Sequence, residues 1–269
     1  MPGQMVKLVR SSLMTEPVTT ASRTAADPRL AGLRRLAIVP AFNEAESIEA
    51  VIAELRAFDP DLEIVVIDDG SNDGTGQRAA QTGVRVVSLP FNLGIGGAMQ
   101  AGYQYARHRG FDLAIQVDGD GQHDPREITA LIEPILRGDA DMAVGTRFAE
   151  GEGYQAPFAR RIGIRLFARI VSLIVRQRVT DTTSGFRAVN RRGIALFAAD
   201  YPHDYPEVET TVLVHQHKLR MVEVPVQMRV RAGGRSSIDF FESIYYTIKV
   251  SLALFVGLFR RPANYQEEP

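Results

Sequence analysis

The most constraining feature of the sequence is a regular alternation of short apolar runs with longer segments of helical spacing. The apolar runs RLAIVPAF, LEIVVIDDG, VRVVSL, DLAIQVDGDG and ADMAVGTRF are separated by segments such as EAESIEAVIAELRAF and PREITALIEPILRG. These runs do not alternate cleanly between polar and apolar residues, as is typical of strands buried on both faces. The pattern therefore predicts an α/β fold, in which helices cover both faces of a mostly parallel sheet.

Polar residues follow each of the first four predicted strands. A single Asp-Gly turn after a strand is equally compatible with a solvated turn and a helix cap. Ligands of open α/β sheets, however, bind beyond the carboxyl ends of the strands, so four polar loops at one edge predict a binding site there. In chain order, the polar loops contribute Asn43 and Glu44, Asp68 and Asp69, Asn92 and Gly94, and Asp118 and Asp120.

The composition excludes several classes of site. With 269 residues, 45% of them hydrophobic, the chain is long enough for a large core in one large domain or two small ones. A formal net charge of −1 provides no general attraction to nucleic acid, and we expect no nucleic-acid partner. The absence of cysteine excludes disulfides, thiolate metal sites and a cysteine nucleophile, and agrees with a reducing compartment.

The ends of the chain differ in composition from its centre. Residues 1–33 are rich in Ser, Thr, Ala and Arg, lack the apolar core of a signal peptide, and are predicted to be a mobile tail. No stretch reaches the roughly 18 to 20 apolar residues of a membrane-spanning helix. We assign residues 34–236 to one α/β domain that carries the polar loops, 237–261 to a C-terminal amphipathic helix and 262–269 to a second tail.

The loop after the fourth strand, QVDGDGQHDP, has the composition of a site for a hard cation. In an extended segment Asp118 and Asp120 would point to the same side, and Gln122 would continue that parity. Mg²⁺ and Mn²⁺ take oxygen ligands from one or two carboxylates and complete their shell with substrate phosphates. Zinc is disfavoured because His123 is the single histidine near these carboxylates and the chain has no cysteine. We predict that His123 is a surface or supporting residue. A solvated turn is the alternative interpretation.

The glycine-rich segment NLGIGGAMQAG matches neither the P-loop nor the G-x-G-x-x-G spacing. We interpret its glycines as allowing close packing of the backbone.

Six motifs together carry a resemblance to a known family. In order, they are VPAFNEAESI, VVIDDGSNDGT, NLGIGGAMQAG, VDGDGQHDP, VGTRF and DTTSGFRAVNR. This order and spacing resembles the inverting family 2 glycosyltransferases of GT-A fold, and within them the polyprenyl-phosphate and dolichol-phosphate sugar synthases. The resemblance extends from about Arg35 to Ser237. The Q-x-x-R-W signature of processive synthases is absent, since the chain has no tryptophan.

The resemblance implies a role for several of these residues. Asp69 would bind the nucleotide base, with uridine favoured over guanosine, and Asp118 would lie near the ribose and diphosphate. Asp120 and Gln122, with Asp118, would hold Mg²⁺ or Mn²⁺. The nucleotide-sugar pocket would comprise Pro40, Phe42, Glu44, Asp69, Asp118, Gly119 and Asp120.

The segment from Phe158 to Val179 contains six arginines and no acid. An amphipathic helix with its basic face in water explains this composition, and so does binding to an anionic membrane surface or a phosphate group. The resemblance implies that these arginines bind a phosphate group, with polyprenyl phosphate as the acceptor. The residues that it places at the acceptor phosphate are Arg147, Arg161, Ser184 and Arg231, with Arg160 and Arg235 as close substitutes.

The expected chemistry needs no strong base. A phosphate monoester has a second pKa near 6 and is largely dianionic at neutral pH, unlike a sugar hydroxyl. Direct displacement would invert the anomeric carbon. Asp181 is either a partner that orders an arginine or a base. The catalytic residues implied by the resemblance are Asp118, Asp120, Arg147 and Asp181.

The C-terminal segment SSIDFFESIYYTIKVSLALFVGLFRR is apolar almost all round after Lys249. It would pack on the body or on a second subunit, or lie in the headgroup region of a membrane, and we favour the last. Some relatives carry transmembrane helices here. Their absence suggests a separate small membrane protein partner, and we expect an enzyme peripheral to the cytoplasmic face of the inner membrane. The alternatives are a transferase for a soluble acceptor and a silent nucleotide-sugar-binding subunit.

Overall fold

The structure, a computed structural model, describes residues 27–146, 171–173, 175, 179–181 and 184–229. The strands are β1 Arg35–Ala41, β2 Glu63–Asp68, β3 Arg85–Ser88, β4 Leu113–Gln116, β5 Met142–Thr146, β6 Arg187–Asn190 and β7 Met221–Pro225. The helices are α1 Ile48–Phe58, α2 Thr75–Gln81, α3 Gly94–His108, α4 Ile128–Leu136, α5 Arg191–Ala199 and α6 Pro206–Gln216. Two short 3₁₀ helices span Pro28–Leu30 and Pro125–Glu127.

The described strands form one sheet in the order β3-β2-β1-β4-β6-β5-β7. The strands β1 to β4 pair in parallel, as do β5 and β7. The predicted α/β fold with a mostly parallel sheet is therefore confirmed. One feature that the sequence did not indicate is β6, which lies between β4 and β5 and runs antiparallel to both. Because β6 is antiparallel to β4, its first residue, Arg187, lies beside the last residue of β4, Gln116. The residues just before β6 therefore lie at the carboxyl end of β4.

The sheet is buried on both faces, which explains the absence of polar and apolar alternation in its strands. In β1, Leu36 and Ile38 contribute to one hydrophobic cluster, together with residues of α3, α5 and α6. Ala37 and Val39 point to the opposite face and pack with residues of α1 and α4. Because successive side chains of a strand point to opposite faces, both parities must be apolar here.

Helix α3 approaches the sheet through its glycines. A β-carbon at Gly102 would overlap the Cγ2 methyl group of Ile38 in β1, and one at Gly96 would overlap the carbonyl oxygen of Pro202. These contacts agree with the interpretation of the glycine-rich segment as a close-packing element. The close approach brings the amino end of α3 to the carboxyl edge of the sheet.

The folded body begins before the boundary drawn from the sequence. Residues 27–33, which the sequence analysis placed in the tail, include the 3₁₀ helix Pro28–Leu30 and the buried side chain of Leu30. Arg29 also pairs with Glu133 of α4 at 2.7 Å. Among the described helices, none combines the length and the apolar character needed to cross a bilayer.

The packing of α3 leads to a stability prediction. Gly102→Ala should lower the free energy of unfolding by up to about 2 kcal/mol. Displacing Ile38 in a close-packed core costs about 1 to 3 kcal/mol, and the gain of about 1 kcal/mol in helix propensity offsets part of that cost. Urea unfolding measures the difference. Gln100→Ala, a partly exposed position on the same helix, is the control and should change stability by less than about 0.5 kcal/mol. Equal stability of the two variants would contradict the packing argument.

Candidate functional site

The four polar loops meet in an open cleft of about 280 Å³ at the carboxyl edge of the sheet. Every residue that the sequence analysis assigned to the nucleotide pocket contributes to its wall. Ile95 and Ala98 of α3 were missed, because an apolar residue on a helix carries no sequence signal that separates a cleft wall from the core. The lining residues are Pro40, Ala41, Phe42, Glu44, Asp69, Asn92, Gly94, Ile95, Ala98, Asp118, Gly119 and Asp120.

Hydrogen bonds tie the first polar loop to the second. Asn43 lies in the left-handed region with φ of 56°, a conformation that asparagine tolerates better than most residues. Its backbone N–H donates to Ser71 Oγ at 3.0 Å, and its side-chain oxygen accepts from the N–H of Asn72 at 3.1 Å. Asp73 accepts from the N–H of Ala45 at 3.0 Å. The two loops therefore form one structural unit.

Asp69 joins the second loop to the third. Its two carboxylate oxygens accept from the N–H of Leu93 at 2.7 Å and the N–H of Gly94 at 2.9 Å, at the start of α3. Burial and the neighbouring Asp68 raise the pKa of Asp69, and the two backbone donors oppose that rise. Since a carboxylate has about four acceptor positions, these bonds leave room for a ligand. Asp69 thus shapes the cleft as well as lining it.

The fourth loop differs from the extended segment that the parity argument assumed. After β4 ends at Gln116, the chain turns through Gly119 and Asp120, and Gly121 has φ of 78°. Asp120 Oδ1 accepts from the N–H of Gln122 at 3.0 Å within this turn. The extended conformation expected for residues 118–122 is therefore wrong, because the glycines allow the segment to turn. Asp118 and Asp120 nevertheless line the cleft together, whereas Gln122 is not among the lining residues.

His123 is buried and contacts both the backbone and the carboxylate of Asp118. It is 5% exposed, and its ring stacks on Phe186 with 4.7 Å between ring centroids. Nδ1 accepts from the backbone N–H of Asp118 at 3.0 Å, so that nitrogen carries no proton. Nε2 lies 3.6 Å from Asp118 Oδ2. Of the two roles that the sequence left open, supporting residue and surface residue, the structure agrees with the first.

Asp124 fixes the far end of the same loop. Its carboxylate accepts from the backbone N–H and the guanidinium of Arg126 and lies 3.1 Å from the guanidinium of Arg229. The backbone N–H of Arg229 in turn donates to the carbonyl of Gln122 at 2.9 Å. Burial opposes ionisation of Asp124, but the hydrogen bonds and the two arginines outweigh it and lower its pKa to about 2.

The cleft is strongly acidic. Glu44, Asp69, Asp118 and Asp120 line it, and no Lys, Arg or His does so among the residues that the structure describes. An anionic ligand would be repelled unless a cation accompanied it. No group of three or more His, Asp or Glu side chains in the described chain is arranged to hold a metal alone. The pair of Asp118 and Asp120 fits Mg²⁺ or Mn²⁺, which commonly bind one or two carboxylates and complete their shell with phosphate oxygens and water.

The DTTSGFR segment lies beside Asp118. A β-carbon on Gly185 would stand 3.1 Å from Asp118 Oδ2 and 2.9 Å from Gln116 Nε2, so this glycine permits the approach. Asp181 and Ser184 are both buried. Glu223 of β7 accepts from the N–H groups of Thr180 and Asp181 at 2.8 and 3.0 Å and thereby positions the start of the segment.

The predicted acceptor arginines lie outside the described residues. They are Arg147, Arg160, Arg161, Arg231 and Arg235. The C-terminal helix predicted for residues 237–261 also lies outside them.

Comparisons with known proteins agree with the geometry. The profile of glycosyl transferase family 2 matches residues 36–196. Over 216 residues the chain is 31% identical to the undecaprenyl-phosphate mannosyltransferase of Micrococcus luteus, covering 77% of this chain and 88% of that protein. It is 30% identical to the polyprenol monophosphomannose synthase of Mycolicibacterium smegmatis, covering 77% and 81%.

A solved structure has a similar fold. It is the glucosyl-3-phosphoglycerate synthase of Mycobacterium tuberculosis in complex with Mn²⁺, uridine diphosphate and glucosyl-3-phosphoglycerate. The TM-score is 0.67 at 21% identity, and the alignment covers 90% of this chain and 85% of that one. This similarity places the architecture among the GT-A folds.

The depressed pKa of Asp124 predicts a pH-dependent contribution to stability. The pKa of the Asp124 carboxyl is about 2 in the folded protein, below its ordinary value of 3.8. Its ionised form therefore stabilises the fold fully above pH 3.8, and this stabilisation is lost as the pH falls from 3.8 through 2. Asp124→Asn should lower the free energy of unfolding at pH 7 by about 2 kcal/mol. Denaturant unfolding at pH 7, 4 and 2.5 should show the difference shrinking as the pH falls.

The matched control is Asp139→Asn, which removes an exposed pair with Arg137. It should change stability by less than about 1 kcal/mol, since exposed ion pairs contribute little. A constant effect of Asp124→Asn across this pH range would contradict the assignment.

Proposed function

The chain belongs to glycosyl transferase family 2, and from this premise we propose that it transfers a sugar from a nucleotide sugar to polyprenyl phosphate with the help of Mg²⁺ or Mn²⁺. The observation that carries the proposal is the acidic cleft in which Asp118 and Asp120 lie beside the predicted nucleotide residues. One relative named above is an undecaprenyl-phosphate mannosyltransferase and the other makes polyprenol monophosphomannose, which supports a lipid phosphate as the acceptor.

The donor would occupy the cleft with its base towards Asp69 and its diphosphate at Asp118 and Asp120. The acidity of the cleft supports a requirement for a cation, because a nucleoside diphosphate and four carboxylates would otherwise repel one another. Bound there, the cation would neutralise the negative charge that develops on the departing diphosphate. Mn²⁺ in the structural relative agrees with this requirement. We favour uridine over guanosine as the base.

The side chains of the fourth loop have distinct tasks in this proposal. Asp118 and Asp120 would hold the cation, and His123 keeps Asp118 in place through the backbone N–H of that residue. Asp124 and its two arginines keep the loop from opening. Preorganised charges of this kind need not rearrange during the reaction, which is the main source of electrostatic catalysis.

The acceptor phosphate would attack the anomeric carbon directly and invert it. The phosphate needs no base at neutral pH, and arginine matches it with two parallel hydrogen bonds. We assign this task to Arg147, Arg161, Arg231 and Arg235, with Ser184 nearby. Asp181, buried beside the same segment, would orient one of these arginines.

The proposal includes a place at the membrane. An acceptor in the lipid phase requires the enzyme to reach the bilayer surface, and the basic segment and the residues 237–261 have suitable composition. We propose a peripheral enzyme at the cytoplasmic face of the inner membrane, assisted by a small membrane protein or by a second copy of the chain.

A transfer assay tests the reaction. Purified protein is mixed with Mn²⁺ or Mg²⁺, a short polyprenyl phosphate and a panel of radiolabelled UDP- and GDP-sugars, and label extracted into butanol is counted. The proposal predicts lipid-phase label with one donor, abolished by EDTA. Transfer of label only to a soluble acceptor would show that the acceptor is not lipid phosphate. Binding of the donors without any transfer or hydrolysis would identify a silent binding subunit.

Substitution of the second aspartate tests the site. Asp120→Asn should lower kcat/KM for transfer by about 100- to 1,000-fold, as expected for loss of a group that stabilises charge in the transition state. Asp61→Asn, an exposed aspartate just before β2 at the opposite edge of the sheet, is the control and should retain full activity. Retention of full metal-dependent turnover by Asp120→Asn would show that the site is assigned to the wrong residues.

A further inference from the structure

A second pocket lies at the amino edge of the sheet, opposite to the acidic cleft. Its volume is about 550 Å³, which is within the range of pockets that bind small molecules. Four arginines and one acid contribute to its wall, and we call it the basic pocket. They are Arg34, Arg56, Arg85, Arg109 and Glu63.

The four arginines come from separate segments of the chain. Arg34 directly precedes β1, Arg56 lies in the last turn of α1, Arg85 is the first residue of β3 and Arg109 follows the end of α3. Because β1, β2 and β3 are parallel, the segments that enter them reach the same edge. The topology of the sheet therefore brings these arginines together, whereas the solvated face of a single helix would not.

Helix ends account for two of the arginines. Arg34 lies over the ring of Phe111, 4.4 Å from the ring centroid, and hydrogen bonds to the carbonyl oxygen of Arg109 at the end of α3. Arg56 donates to the carbonyl oxygen of Thr82, at the end of α2, at 2.6 Å. A positive charge is favourable at the carboxyl end of a helix, so both side chains have a structural role.

Helix ends do not account for Arg85 and Arg109. Both residues are exposed, and neither forms an ion pair or a side-chain hydrogen bond within the part of the chain that the structure describes. The guanidinium of Arg109 lies over the ring of Tyr105, 5.7 Å from the ring centroid, which holds it at the pocket.

The charge of the basic pocket is unbalanced. Glu63 is the one acid among the lining residues, and it pairs with Arg34 at 2.9 Å. The charges of Arg56, Arg85 and Arg109 therefore have no acid among the lining residues to neutralise them. Like charges held at one pocket repel one another, and an anion between them removes that repulsion.

Arginine chemistry indicates which anion fits. A guanidinium has five N–H donors in a planar fork, which matches a phosphate group with two parallel hydrogen bonds. Arg56 uses its bond to Thr82 to fix its position and keeps other donors for a ligand. Several arginines around one space suit an anion with several acceptor oxygens and more than one negative charge, as in a phosphate or diphosphate group.

We propose that the basic pocket binds a phosphate-bearing anion through Arg56, Arg85 and Arg109, with Arg34 as a positioning residue. The inference goes beyond the proposed function and does not depend on it. The two sites differ in their need for metal, because the acidic cleft repels a diphosphate unless a cation accompanies it and the basic pocket attracts one directly. Soluble phosphates and lipid headgroups share this chemistry, and the experiment separates them.

Binding of inorganic pyrophosphate without metal tests the soluble source. Isothermal titration is carried out on the full chain in EDTA, which removes the cation that the acidic cleft requires, and in about 0.15 M salt, which screens weak surface attraction. The wild-type protein should bind pyrophosphate. Arg85→Gln should weaken binding by about 10-fold, as expected for loss of hydrogen bonds between charged groups. Arg109→Gln should have a similar effect, and it replaces Arg85→Gln if that variant does not fold.

Three further variants separate a built site from general charge. Arg137→Gln removes the same charge from an exposed arginine outside the pocket and should change the affinity by less than about 2-fold. Arg85→Lys keeps the charge without the planar fork and should lose less affinity than Arg85→Gln. Glu63→Gln removes the acid from the pocket wall and should strengthen binding.

Cosedimentation with vesicles tests the lipid source. The vesicles contain equal parts of phosphatidylglycerol and phosphatidylcholine, and Arg85→Gln is compared with Arg137→Gln. If the soluble source is correct, both variants should bind the vesicles equally. If pyrophosphate does not bind and Arg85→Gln alone weakens vesicle binding, the pocket is confirmed as a phosphate site and the headgroup is its source.

Other results would overturn the inference. They are a wild-type protein that binds neither probe, and equal behaviour of Arg85→Gln and Arg137→Gln towards both probes. Neither result bears on the transfer assay, because that assay measures the acidic cleft in the presence of metal, so the proposed function is tested separately.

Discussion

The parallel pairing of β1 with β2 and β4 is the constraint on which the site depends. It brings the ends of these strands to one edge, and the loops that follow them must then satisfy their own backbone groups. They do so with one another, since Asp69 accepts from the start of α3 and Ser47 donates to the carbonyl of Gly119 at 2.7 Å. The same short polar side chains therefore build the cleft and hold its loops together.

At this edge of the sheet, close packing brings the walls of the cleft together, whereas charge repulsion pushes its carboxylates apart. The glycines of α3 allow the helix to approach β1, and this closes one wall of the cleft. The carboxylates of the other wall repel one another. His123 accepts from the backbone N–H of Asp118, and Arg126 and Arg229 pair with Asp124 at the end of the same loop, so the loop that carries Asp118 and Asp120 is held in place. Repulsion that remains in the cleft favours a cation, which gives the proposed donor site its dependence on metal.

Much of this could be predicted from the sequence, and the exceptions have physical causes. Apolar runs and polar strand ends are local signals, so the parallel sheet and the polar residues of the cleft follow from them, whereas Pro40, Phe42 and Gly119 were assigned from the resemblance to the family. The turn at Asp120 was missed because glycine permits turns and extended segments alike. The position of β6 was missed because an antiparallel strand inserted into a mostly parallel sheet has no distinct sequence pattern.

The central claim is that the acidic cleft binds a nucleoside diphosphate together with a divalent cation. Electron paramagnetic resonance of free Mn²⁺, titrated with protein in the presence and absence of UDP or GDP, measures this directly. The account predicts weak binding of Mn²⁺ alone and at least about tenfold tighter binding with one nucleotide, because two carboxylates leave the metal shell to be completed by phosphate oxygens. Equal Mn²⁺ affinity with and without nucleotide, or nucleotide binding unaffected by EDTA, would contradict it.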